Sequence, residues 1–267
     1  MEFPIIDIAA LDEPESQVAI AQQITEASRT WGFLLLKNHP IPVNDIDERY
    51  PPDEKTLWPI NDNYIGYNHP LSDARKDDKA SMWLSGKPGS LAQNQDALPP
   101  FWRDHIEKGE AFKHSCHDLI TQLLVCFALA MDLPDRNFFA KAHAEDAGMA
   151  TIFAFCAIRR GRTCPGLEVE SPTGDALAFW SGSRLKATKH RVTFDTVRHD
   201  TERLTMAYFV AASPDNVLQP IKADNPEEQM DTYEANGVRI KAGITVGEYG
   251  RMIMENIYGA GVAQTAG

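Results

Sequence analysis

The residue types that handle metals and carboxylates gather in one stretch. It reads Trp180-Ser181-Gly182-Ser183-Arg184-Leu185-Lys186-Ala187-Thr188-Lys189-His190-Arg191-Val192, followed by Arg203-Leu204-Thr205. A Ser-Gly-Ser turn leads into a segment with one histidine, His190, and Arg203 then opens an apolar strand, Leu204 to Ala211. Neutral imidazole is the commonest protein ligand for a transition metal, and an arginine fork clamps a carboxylate through paired hydrogen bonds. On neighbouring strands the two would let a bound metal and an organic acid meet. Taken alone, His190 is an ordinary strand histidine and Arg203 an ordinary surface ion-pair partner of small worth. The pattern they make together is what points to chemistry.

That pattern resembles the C-terminal half of the iron(II)/2-oxoglutarate-dependent oxygenases of the isopenicillin N synthase-like group. The matching residues are Gly182, Thr188, His190, Arg191 and Val192, then Arg203 and Thr205. The resemblance implies Fe(II) and 2-oxoglutarate as cofactors, with His190 as the distal iron ligand. It also implies that Arg203 and Thr205 hold the far carboxylate of the co-substrate. Thr205 stands where the group usually has serine, and its hydroxyl can make the same hydrogen bond. Some members of the group use the arginine for the substrate's own carboxylate instead. The N-terminal order of strand, helix, Trp31-Gly32-Phe33 and Asn38-His39-Pro40-Ile41-Pro42 resembles the same group. His39 is read there as part of a scaffold turn, not as a ligand.

Iron enzymes of this kind bind their metal through two histidines and one carboxylate, leaving positions open for co-substrate and oxygen. In the group, the first two ligands come as H-x-D on a strand well before the distal histidine. No H-x-D occurs in this chain. The nearest formal substitute is His143-Ala144-Glu145, but Phe138 to His143 resembles the helix that precedes the barrel strands. Gly166-Leu167-Glu168-Val169 resembles a strand that normally follows H-x-D, and Gly174 to Trp180 reads as a shortened strand. A helix begun at Asp45 is cut by Pro51-Pro52. These three apparent deletions keep an alternative open: a catalytically inactive relative that has lost the H-x-D ligands and at most binds a ligand or partner.

Composition sets the outer bounds. A length of 267 residues suits one large domain, read as an N-terminal helix and strand region (1–100), a helical region (101–148) and a jelly-roll core with a closing helix (149–267). A net charge of -12 argues against nonspecific nucleic-acid binding. Cys116, Cys126, Cys156 and Cys164 form neither a zinc ribbon nor a disulfide ladder. Reduced thiols, no signal-like start and no apolar run of membrane length give the expectation of a cytoplasmic protein with a small-molecule substrate.

Periodicity places the elements. Pro14 begins a helix with Ile20, Ile24, Ala27 and Trp31 inward, and Phe33 to Leu36 is a strand. Tyr64 to Tyr67 is a short strand or extended link, and Ser85 to Pro100 is loop. Trp102 to Met131 is one long helix, with Phe112, Cys116, Leu119, Leu123, Phe127 and Ala130 inward. It carries His105, His114 and His117, which are read as helix-surface residues. Arg136 to His143 is a short helix, and Met149 to Ile158 a strand. Residues 219 to 242 form a polar linker with a strand at Gly237 to Lys241, and Thr245 to Tyr258 is the last helix. The fold class is mixed α+β: as the resemblance implies, a double-stranded β-helix (jelly roll) flanked by helices, with an incomplete barrel. The implied reaction is iron-dependent oxidation of a small organic molecule. Replacing Arg203 by alanine is expected to abolish 2-oxoglutarate binding in a calorimetric titration, and unchanged binding would remove Arg203 from the site.

Overall fold

The computed structural model describes residues 4–41, 58–61, 65–68, 79–144, 152–158, 168–169, 172–188, 190–191, 203–222, 229–235 and 237–258. The helix expected from Asp45, the residue Glu145 and the residue Val192 lie outside them.

The chain starts with a compact strand-helix-strand unit. Strand β1 (Ile5–Asp7) leads through helix α1 (Pro14–Thr30) to β2 (Leu35–Lys37), and the two strands pair in parallel, Ile6 opposite Leu36. Proline at the first helical position suits a site whose N–H has no helical partner anyway. Of the expected inward stripe of α1, Trp31 is the half-buried C-cap, whereas Ile20, Ile24 and Ala27 are buried, joined by Ala21. They pack with Ile6, Ile8 and Leu11 into one core cluster.

Next come β3 (Gly66–Asn68), β4 (Lys79–Ser85), α2 (Ser90–Gln93), a 3-10 turn (Gln95–Ala97), α3 (Pro100–Asp104) and α4 (Ile106–Ala130). The expected loop from Ser85 to Pro100 therefore contains a helical turn. The physical reason is a partner distant in sequence. The Glu110 carboxylate of α4 accepts hydrogen bonds from the backbone N–H groups of Gly89 (3.1 Å) and Leu91 (2.9 Å), capping α2 from outside. Lys113, buried, donates to Glu110 (2.9 Å), Ser90 Oγ (3.0 Å) and the Lys87 carbonyl (2.9 Å), so every proton of its ammonium is used.

The single helix expected over Trp102–Met131 is broken at His105. That residue leaves helical geometry (φ -124°, ψ 23°), and its Nδ1 lies 2.8 Å from the Phe101 carbonyl. Helix α4 contributes to all three core clusters. Cys116 joins Ile65, Tyr67, Met82, Leu84, Leu91, Leu98 and Trp102. Leu119 and Cys126 join the α1 cluster. Leu124 and Ala128 join the C-terminal cluster. Burial pushes the Cys116 and Cys126 thiols up to about 11, so both stay protonated and unreactive.

The rest of the chain adds α5 (Phe138–Ala142), β5 (Ile152–Ile158), β6 (Glu168–Val169), α6 (Pro172–Trp180), β7 (His190–Arg191), β8 (Arg203–Phe209), β9 (Thr232–Ala235), β10 (Val238–Lys241) and α7 (Val246–Tyr258). Strands β3, β4, β5 and β8 form one antiparallel sheet in that order, while β6 pairs with β7 and β9 with β10. The expected mixture of helix and sheet holds. Among the described residues the strands make one four-stranded sheet and three two-stranded ones.

One local expectation needs correction. Gly174 to Trp180 is helix, not strand. Pro172 starts that helix, and Phe179 and Trp180 are buried from its end against Phe139 and Tyr249. Within the linker at 219 to 242 the strand expected at Gly237 to Lys241 is present as β10, and β9 pairs with it to make a hairpin turned by Gly237 at φ +70°. Its Ile240 is fully buried.

His143, the C-cap of α5, belongs to this C-terminal packing. Its ring is buried, its Nδ1 lies 2.7 Å from the Phe139 carbonyl, and it sits 6.2 Å from the Trp180 ring. Burial holds its pKa below the usual 6.5, with a smaller contribution from the nearby His117, against the pull of the Phe139 bond. The unfolded chain takes up this proton near pH 6.5, and the folded chain does so only at lower pH. Stability from this group is therefore present above pH 6.5 and is lost as pH falls from there through the folded value. Urea unfolding between pH 7.5 and 5 should show that loss, and a His143→Gln variant should flatten it. Lys113→Met, which breaks a buried charged pair, should cost about 3 kcal/mol in the same assay.

Candidate functional site

Helix α1 and the segment after α6 build the approach to His190. A helix ends with carbonyls that have no intrahelical donor. At the end of α1 these are met by residues far along the chain. The Lys186 N–H donates to the Ser28 carbonyl (3.1 Å), which also accepts from the Gly32 N–H (3.2 Å), while Lys186 Nζ donates to the Thr30 carbonyl (2.9 Å) and Thr188 Oγ1 to the Trp31 carbonyl (2.8 Å). The segment that makes these contacts begins at the C-terminus of α6. There Ser181 Oγ donates to the Ala178 carbonyl (3.0 Å) and accepts from the Leu185 N–H (3.1 Å). Gly182 (φ +64°) and Ser183 (φ +61°) turn the chain, and buried Leu185 anchors it.

Gly32 makes the close approach possible. It sits at φ +69°, and a Cβ placed on it would lie 2.2 Å from Thr188 Oγ1 and 3.1 Å from the Lys186 carbonyl oxygen. No side chain fits there. The segment can therefore lie directly on the backbone at the end of α1.

The sequence-derived site residues fall on strands. His190 opens β7, opposite Val169 of β6. Arg203 opens β8 opposite Ile158, and Thr205 lies opposite Cys156, with β5 between β8 and β4. Arg203 and Thr205 are two residues apart on one strand, the spacing that places residues on a common face of a sheet. An arginine fork and a hydroxyl are group types that would suit a carboxylate.

The donor set for the metal is shorter. Among the described residues no group of three His, Cys, Asp or Glu side chains converges to hold an ion. His143 has one ring nitrogen on the Phe139 carbonyl and is packed in the C-terminal core. His114 is exposed on α4, 3.5 Å from Asp118, as a surface helix residue. His39 follows β2 in a turn where Asn38 (φ +59°) bonds Asp7 (2.8 Å), in keeping with a scaffold role. For iron, His190 is the one ligand that the sequence pattern supplies.

The residues that sequence reasoning passes over are Lys186 and, as a side chain with a contact of its own, Thr188. Gly32 is visible there, but only as a helix stop. The signal is present as a glycine after Trp31 and a threonine before His190. Nothing in either stretch says that they touch.

Residues 3–103 match the family model described as the N-terminal region of non-haem dioxygenases in morphine synthesis. A UPF0676 protein of Schizosaccharomyces pombe is 26% identical over 297 residues, covering 88% of this chain and 89% of its own. That alignment is longer than the chain itself, so the yeast protein has residues where this chain has none. The fold is similar to that of a Neurospora crassa protein solved in complex with alpha-KG and thymine: TM-score 0.71, 20% identity, covering 95% of this chain and 96% of that one. It is also similar to a 2OG-Fe(II) oxygenase family protein from Caulobacter crescentus, with TM-score 0.62, 15% identity and coverage of 96% and 99%. There is no helix among the described residues long and apolar enough to cross a membrane. With the His190 and Arg203 pattern in hand, the chain is similar over residues 3–103 to the N-terminal region of non-haem dioxygenases and shares its fold with a 2OG-Fe(II) oxygenase family protein.

Proposed function

We propose that this protein carries out iron(II)- and 2-oxoglutarate-dependent oxidation of a small organic molecule, as hydroxylation, desaturation or ring closure in secondary metabolism. The observation that carries the reading is the pairing of two features. Arg203 and Thr205 stand on β8 within the main antiparallel sheet, and His190 follows a segment fastened to α1. In this reading Arg203 grips the far carboxylate of 2-oxoglutarate and Thr205 donates to it, fixing the direction of the co-substrate. His190 holds the metal. A jelly-roll barrel around these strands is the architecture the reading requires. The Neurospora protein was solved with thymine, a compact planar ring, and a substrate of similar size is the class assigned here.

A second reading is favoured by a specific observation. The chain has no H-x-D, and the yeast relative aligns over more residues than this chain possesses. In this reading the protein keeps the carboxylate clamp, has lost the other metal ligands, and binds a ligand or partner without turning it over. A single histidine binds iron(II) too weakly to keep it against water.

Anaerobic titration with iron(II) and 2-oxoglutarate separates the two. The oxidation reading expects a weak visible charge-transfer band at one-to-one stoichiometry that His190→Ala removes. Folded protein that gives no band would sink it and leave the clamp-only reading.

A further inference from the structure

We propose that Thr188 is a positioning residue for His190, and that Gly32 exists to admit it. The inference rests on the reading of His190 as the metal ligand, and deepens it. Three carbonyls at the end of α1, those of Ser28, Thr30 and Trp31, are each capped from the 186–188 segment. The Lys186 ammonium also lies at the negative end of the helix, where a cation is favoured. Of these contacts, the Thr188 hydroxyl is the last before the histidine. Two residues of extended chain span at most about 7 Å, so the place where Thr188 is held limits where the His190 backbone can be.

Gly32 adds a steric condition. Any side chain there would collide with Thr188 Oγ1 at 2.2 Å and meet its Cβ at 3.0 Å. The glycine and the threonine therefore act as one device. The glycine lets the segment descend onto the helix end, and the hydroxyl fixes it there. A hydrophobic residue at 188 would fill the same volume and lose the fixing bond. Serine would keep the bond.

The test uses the full chain and two readouts. Thr188→Val should raise amide hydrogen exchange across residues 185–191 about fivefold, as expected for one lost hydrogen bond. Exchange within α4 should not change, and Thr188→Ser should stay near wild type. Gly32→Ala should loosen the same segment at least as much. With cobalt(II) as the metal probe, Thr188→Val should weaken binding by a similar factor while 2-oxoglutarate affinity of metal-free protein stays constant. Unchanged exchange in Thr188→Val, or a serine variant as loose as the valine variant, would overturn the proposal. Wild-type protein that takes up no cobalt would overturn the role of His190 as a ligand and, with it, the bearing of Thr188 on the metal. The exchange result alone then decides whether the segment is held as described.

Discussion

The contact between the end of α1 and the segment before His190 ties the two ends of the molecule's chemistry together. It joins residues more than 150 positions apart in sequence. Backbone carbonyls at a helix end must find donors, and here the donors are the residues that lead to the histidine. Because the Thr188 side chain lies against the Gly32 backbone, the approach tolerates no side chain at Gly32. The N-terminal unit therefore also sets the position of the candidate site, although none of its own residues has been assigned to chemistry.

Helix α4 plays the corresponding part for stability. Its residues enter all three hydrophobic clusters, and a fully buried large apolar side chain contributes about 1.5–3 kcal/mol. A helix buried on several sides lacks one clean apolar stripe. This is why periodicity finds its length and misses much of its packing. Cys116 and Leu119 are inward as their spacing predicts, whereas Lys113 is buried although its type predicts a surface position. Its burial is explained by Glu110, Ser90 and the Lys87 carbonyl, a set that only the fold assembles. The same set creates α2 inside what reads as a loop.

Elements with strong local signals are legible in the sequence: the α1 stripe, the α7 face with Val246, Tyr249 and Ile253, and the β8 strand. Elements defined by distant partners are not. Strand β4 is polar at its start and is a strand because β3 and β5 pair with both its edges. Helix α6 ends in a continuous apolar run, Ala176 to Trp180, whose period cannot be told from that of a buried strand. At the site, His190, Arg203 and Thr205 can be picked out because their types and order form a pattern. The segment that positions His190 cannot, since a hydrogen bond from Thr188 to Trp31 has no trace in either stretch alone.

The two halves of the site differ in completeness. The proposed carboxylate clamp, Arg203 and Thr205, lies on β8 in the main sheet, whereas for the metal the sequence pattern supplies one histidine. The most direct measurement is a crystal structure of the protein grown anaerobically with 2-oxoglutarate and manganese(II). The predicted result is one end of 2-oxoglutarate on the Arg203 guanidinium and the Thr205 hydroxyl, with its other end directed toward His190. Co-substrate bound elsewhere, or Arg203 and His190 facing different cavities, would contradict the assignment.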